Sequence, residues 1–294
     1  MLLKDEYMNT KKLFFTIDFE DFKYDFLNKR ELQVKKNSDA LYESYACIKS
    51  ILENHTGNKR CTFFCTGNVA ESSPDLIKEI SNDGHEIACH SNEHLDVKKQ
   101  SNYEFEKDLE KAIKSLSDAC GSDVRGYRAP MFSLLRDDIE KYRILSKYFK
   151  YDSSLICKTE ELTNYISNGQ IHNLNLFEFP IIQNDDFPIN LKMIGGTYLK
   201  ITSCEKIKQW FNNEIYSDIM PMIYMHPYEL LPNKPFWVSF DDLTKLNIFK
   251  NIYYQIRQHQ WHSFNSSNLQ KLSNLLRSFP NQGPLIENLK IENT

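Results

Sequence analysis

Short, β-rich apolar runs alternate along this chain with longer segments of helical period, the pattern of parallel strands joined by crossover helices. Leu13 to Phe19, Cys61 to Cys65, His85 to Cys89, Val124 to Tyr127, Tyr151 to Ser153, Leu176 to Ile181 and Met220 to Met225 read as strands. Between them, Asp39 to Asn54 repeats Leu41, Tyr45, Ile48 and Leu52 on one helical face, Pro74 opens a helix that stops at Gly84, and Tyr103 to Ala119 runs to Gly121. Asp137 to Tyr148 and Glu205 to Phe211 are further helices, and Leu243 to His259 and Leu269 to Phe279 form a helical cover from about residue 240. No low-complexity linker or internal repeat interrupts the series, so residues 12–294 read as one α/β domain behind a flexible N-terminal arm, 1–11. Closing about six to eight such strands makes a barrel whose chemistry belongs at the carboxyl ends of the strands.

Composition narrows the partners. With 36 Lys or Arg against 40 Asp or Glu, a net charge of −4 and no basic stripe, nucleic acid is excluded as a partner. No apolar run approaches the roughly 20 residues of a membrane-spanning helix. Met1 to Lys12 lacks the apolar centre of a secretory signal, so the expected place is the cytoplasm, with peripheral attachment to the inner membrane as the variant. The 7 cysteines are scattered without a C-x-x-C pair and read as reduced core residues. Cys89 adjoins His90, but strand alternation points it to the other face, away from any site His90 serves.

Polar residues cluster where the strands end. T-I-D-F-E-D follows the first apolar run, and alternation puts Asp18 and Glu20 on one side of it, with Asp21 in the loop above. Carboxylates so crowded repel one another unless a positive group sits among them. H-S-N-E-H places His90 and His94 four apart, on one face of a helical turn, which suits two imidazoles on one cation. R-G-Y-R-A-P-M-F-S brings Arg128, a permanent cation able to hold a carboxylate ionised, to the end of the fourth strand. Asp152 in Y-D-S-S and His226 in Y-M-H-P-Y-E end two more strands.

These segments, in this order, resemble the motifs of the NodB-homology polysaccharide deacetylases, carbohydrate esterase family 4, in the subgroup whose first motif reads D-V-E-D. T-F-F-C-T-G-N-V-A-E (62–71), G-H-E-I-A-C-H (84–90), G-Y-R-A-P-M-F-S (126–133), F-E-F-P (177–180) and M-H-P-Y-E (225–229) extend the likeness over roughly 12–230, and weakly to N-Q-G-P-L (281–285). The resemblance implies a distorted (β/α)7–8 barrel of the glycoside hydrolase/deacetylase type. It implies Asp18 as catalytic base, His90 and His94 as metal ligands with Glu20 or Asp21 as the third, and Arg128 as the residue orienting the base. It further implies His226 as catalytic histidine, Asp152 as the acid raising its pKa, and the backbone N–H of Met131 as oxyanion donor. The implied cofactor is one divalent cation, Zn²⁺ first, with Co²⁺, Ni²⁺ or Mn²⁺ as substitutes. The implied reaction is hydrolysis of an N-acyl, chiefly N-acetyl, group from an amino sugar or polysaccharide precursor. The alternatives are a deformylase or other linear-amide hydrolase acting on a lipid- or nucleotide-linked amino sugar, and a non-catalytic carbohydrate-binding barrel.

Overall fold

The computed structural model describes residues 11–32, 36–183, 195–212 and 219–289; residues 1–10 of the expected N-terminal arm lie outside them. In chain order the elements are β1 (Phe14–Phe19), α1 (Phe22–Asn28), α2 (Ser38–Glu53), β2 (Thr62–Cys65), α3 (Gly67–Ser72), α4 (Pro74–Asn82), β3 (Glu86–Cys89), α5 (Asn102–Cys120), β4 (Gly126–Tyr127), α6 (Ile139–Tyr148) and β5 (Tyr151–Asp152). Short pieces follow: β6 (Ile156–Cys157), α7 (Leu162–Tyr165), β7 (Ile166–Ser167), β8 (Gln170–Ile171), β9 (Phe177–Glu178) and β10 (Ile181–Ile182). The chain then builds α8 (Gly196–Ile201), α9 (Cys204–Phe211), β11 (Met222–Met225), α10 (Ile248–His262) and α11 (Asn265–Ser278).

Nine strands form one sheet in the order β11-β1-β2-β3-β4-β5-β9-β8-β7, parallel from β11 to β9 and antiparallel at β8 and β7. This is the expected distorted barrel, with β11 and β7 as its edges among the described residues. Every residue of β1 is buried, as befits a central parallel strand covered on both faces. Phe15, Ile17 and Phe19 pack outward under the helices; Phe14 points inward with Phe64, Tyr151, Phe179 and Tyr224. That alternation leaves Thr16 and Asp18 on the inner face, and Asp18 at its carboxyl end.

The helices start and stop where the side chains dictate. On α5 the Ser101 hydroxyl accepts from the Glu104 N–H while Glu104 reaches back to Ser101, and Gly121 takes the left-handed conformation, φ 72°, that ends the helix. Its buried stripe of Phe105, Leu109, Ala112 and Leu116 fastens it to the sheet; each large apolar side chain contributes roughly 1.5–3 kcal/mol.

Three expected elements come out differently. The strand expected over Leu176 to Ile181 splits into β9 and β10 around Pro180, which has no N–H to give a ladder. The helix expected from Leu243 begins only at Ile248, where Asn247 caps it by accepting from the Lys250 N–H. The polar, Asn-rich stretch from Cys157 to Asn175, whose composition reads equally as a rim loop or a disordered connection, instead builds α7 and the hairpin β7–β8, turning at Asn168 and Gly169 with φ 50° and 78°.

The amino-terminal end of the barrel is closed by N-Q-G-P-L. Buried Asn281 accepts from the Phe15 N–H (3.1 Å) and donates to the carbonyls of Asn58 (3.0 Å) and Arg60 (2.8 Å), while the Leu285 N–H donates to Thr62 Oγ1 (2.9 Å). Replacing Asn281 by Ala leaves the buried Phe15 N–H and the part-buried Asn58 and Arg60 carbonyls without this partner at once. Urea denaturation should show a loss of about 2–4 kcal/mol, and an unchanged midpoint would deny the segment this closing role.

Candidate active site

Three loops converge above the inner face of β1. Beyond β3, residues 90–94 do not form the expected helical turn: Ser91 and His94 are left-handed, with φ 63° and 51°. Asp108 of α5 holds this loop by accepting from the N–H groups of Asn92 (2.8 Å) and Glu93 (3.3 Å). Gly67 of α3 lets it come close, since a Cβ there would lie 2.3 Å from Asn92 Oδ1. The two histidines converge all the same, through loop geometry, with ring centroids 5.1 Å apart.

Glu20, continuing the parity of Asp18, meets them. The ligand atoms of Glu20, His90 and His94 all lie within 4.8 Å of one another, and all three residues are buried. His90 Nδ1 donates to the Arg128 carbonyl (2.8 Å), which leaves Nε2 for a ligand. His94 Nε2 is paired with Glu20 Oε2, and its Nδ1 lies 2.7 Å from Lys29 Nζ. Burial holds His90 neutral, its pKa pushed down to about 4, and pulls His94 down as well. Burial opposes the charge on Glu20, but its pairing with His94 and the nearby charge of His226 outweigh it and hold the carboxyl below its ordinary range. Two neutral imidazoles and one carboxylate form a donor set that fits a zinc-like cation with a coordination position left over.

Asp18 faces this group from below, held by the wholly buried Arg128. Arg128 Nη1 donates to Asp18 Oδ1 (2.6 Å) and Thr16 Oγ1 (3.0 Å), its Nη2 to Ser153 Oγ (2.9 Å) and its Nε to the Ser153 carbonyl (3.2 Å). The guanidinium also lies 4.0 Å over the Phe64 ring. Burial disfavours the Asp18 charge, yet Arg128 and then His90 and His226 outweigh it, so the carboxyl sits below its ordinary range. The free oxygen, Oδ2, is 3.9 Å from His226 Nε2.

His226 follows β11 directly and stacks on Tyr228, centroids 4.9 Å apart. Its carboxylate is not the one expected. Pro227 starts a tight turn that brings Glu229 back, so that Glu229 Oε2 accepts from His226 Nδ1 (2.9 Å) and from its backbone N–H (3.1 Å). Burial opposes the imidazolium, but Glu229, then Glu20 and Asp18, push its pKa up to about 9. Glu229 was missed in the sequence, although it stands three residues on in the same motif.

Two expected residues lie elsewhere. Asp152 does not contact His226: its carboxyl accepts from Ser154 Oγ (2.6 Å) and N–H (3.1 Å), and its strand register pairs it with Glu178. Burial raises both acids, Asp152 to about 6 and Glu178 well above its usual range, and the charge of Asp152 raises Glu178 further. Asp21 is a helix cap, accepting from the N–H of Tyr24 (3.1 Å) and of Asn37 (2.7 Å), and is not among the three clustered ligands. Met131 occupies the turn after β4, left-handed with φ 55°. Cys89 is buried and its thiol is pushed far up by that burial, so it stays inert.

Residues 39–144 match the family model described as "Polysaccharide deacetylase", and 157–279 match one described as "Domain of unknown function (DUF3473)". A peptidoglycan-N-acetylglucosamine deacetylase of Bacillus cereus is 27% identical over 113 residues, 38% of this chain and 40% of that protein. A chitooligosaccharide deacetylase of Azorhizobium caulinodans is 33% identical over 84 residues, 28% of this chain and 39% of that protein. The chain thus spans about two fifths of the length of these curated relatives. A solved structure of a Mycobacterium smegmatis protein assigned to the polysaccharide deacetylases aligns over 92% of this chain and 94% of its own, 16% identical, with a TM-score of 0.51, a likeness of fold.

The charge on His226 depends on Glu229, and its contribution to stability is present in full below the ordinary value of 6.5 and is lost as pH rises through about 9. Glu229→Gln should bring the imidazole titration, followed by NMR, down by more than about one unit, whereas Asp152→Asn should leave it in place. The reverse pattern would return the role to Asp152.

Proposed function

We propose that this chain, whose residues 39–144 match the polysaccharide deacetylase model, hydrolyses the N-acetyl group of an amino sugar, with Asp18 as base and His226 as acid. The observation that carries this reading is the pair itself. A carboxylate held ionised by Arg128 and an imidazolium held charged by Glu229 face each other 3.9 Å apart, beside three clustered ligands for one cation. Two titratable groups whose surroundings push them to opposite charge states are an acid and base set to work together.

A zinc-like cation on Glu20, His90 and His94 would supply a Lewis acid next to the acyl carbonyl. The chain's own groups do the rest. Asp18 Oδ2 removes a proton from water as its oxygen bonds to the acyl carbon, Arg128 keeping Oδ1 occupied. The N–H of Met131 is the donor we assign to the developing oxyanion. His226 Nε2 gives its proton to the sugar nitrogen as the C–N bond breaks, and acetate and the free amine leave. Tyr228 and Tyr224 pack against the His226 ring and shield it from solvent.

We also infer that the two matched segments form one folding unit, since β1, outside both, pairs with β2 of the first and β11 of the second. Seven unpaired cysteines, most of them buried, agree with the reducing cytoplasm, and no helix of the described residues is long and apolar enough to cross a membrane.

The purified protein should carry about one equivalent of metal and release acetate from N-acetylglucosamine oligomers. Formate from N-formyl sugars alone would make it a deformylase, and oligomer binding without any release a binding barrel. Asp18→Asn should keep the metal while kcat falls by roughly 10² or more; activity within a fewfold of wild type would move the base to another carboxylate. His226→Ala should depress amide hydrolysis far more than hydrolysis of an activated ester, which needs no proton at its leaving group. Equal losses on both would make His226 a binding residue.

A further inference from the structure

The outward face of α10 is the most apolar exposed surface among the described residues. Ile248, Ile252 and Ile256, spaced four apart, form a ridge with Phe249 and Tyr253 beside it, and all five are exposed, Phe249 at 80% and Ile256 at 68%. Just beyond the helix, Phe264 stands 76% exposed in a left-handed conformation, φ 63°. The inner face of the same helix is buried, through Asn251, Gln258 and His262, and His262 packs on Tyr228 beside His226. Among the described residues this outer face stays exposed.

Charge says what covers it. From Leu243 to Ile286 the sequence contains no Asp or Glu, in a chain with 40 of them, while it contains Lys245, Lys250, Arg257, Lys271 and Arg277. That stretch is therefore +5 inside a chain of net −4. Lys250 and Arg257, seven apart, line one flank of the ridge, and both are exposed. Isoleucine, phenylalanine and tyrosine on one face, flanked by cations and free of acids, compose a helix that lies in the plane of an anionic bilayer. An interface with a second copy would set these cations against their own images, and an acidic protein would leave the five apolar side chains without a counterpart.

We propose that the α10 face docks the protein on a bilayer rich in anionic phospholipid, placing the His226 side of the barrel next to that surface. The apolar ridge enters the headgroup layer and the basic flank stays among the phosphates. This rests on α10 alone and stands whether or not the deacetylase reading holds.

The test is co-sedimentation of the full chain with vesicles of phosphatidylcholine alone or mixed with phosphatidylglycerol, at low and high salt. Binding should appear on the mixed vesicles, weaken with salt, and fall by at least about tenfold in K250E/R257E. I252E/I256E should abolish it while leaving the circular dichroism and any acetate release unchanged. Equal binding by wild type and I252E/I256E, or no binding to vesicles of either composition, would overturn the proposal. So would a dimer in sedimentation velocity that I252E/I256E dissolves.

Discussion

The buried ion pair between Arg128 and Asp18 is the constraint around which the rest is arranged. Two charges removed from water at the centre of a barrel cost several kcal/mol each, and their attraction offsets this only if every remaining donor is satisfied. Arg128 spends its donors on Asp18, Thr16 and Ser153, and its plane lies on Phe64, so side chains of β1 and β2 and the residue just beyond β5 are fixed by one guanidinium. Its backbone carbonyl also orients His90. One side chain thereby connects the proposed base, a proposed metal ligand and the barrel interior. Removing it would leave a buried carboxylate unpaired, at a cost on the order of 3–5 kcal/mol.

Much of this could be read from the sequence, because strand alternation is local. The parity that puts Thr16, Asp18 and Glu20 on one side of β1 needs only the order of residues, and it also sends Cys89 away from the site. Capping chemistry is equally local, which is why α5 ends at Gly121 as expected. What could not be read depends on neighbours in space. Asp152 looked free for His226 because nothing local reveals that its strand lies in register with Glu178. Glu229 was within reach of the sequence: a proline immediately after His226 and an acid two residues further on are the ingredients of a tight turn that folds back on its own first residue.

The histidine pair shows a residue pattern outliving the local structure assumed for it. A spacing of four suits a helical face, yet Ser91 and His94 are both left-handed and the loop is tied down by Asp108. Left-handed non-glycine residues cost on the order of 1–3 kcal/mol each and persist only when their surroundings impose them. Here the surroundings are the cap-like carboxylate of α5 and the close approach at Gly67. The asparagine–glycine turn of β7–β8 carries the complementary lesson: the signal stood in S-N-G-Q, but the polar stretch around it concealed two strands of two residues each.

The division of labour between Glu20 as ligand and Asp18 as base, enforced by Arg128, is the central claim, and diffraction at the absorption edge of the bound metal tests it most directly. The account predicts one anomalous peak within about 2.0–2.2 Å of a Glu20 oxygen, His90 Nε2 and His94 Nε2, with Asp18 outside the ligand sphere and still paired to Arg128. A peak bound by Asp18 or Asp21 in place of Glu20 would contradict it.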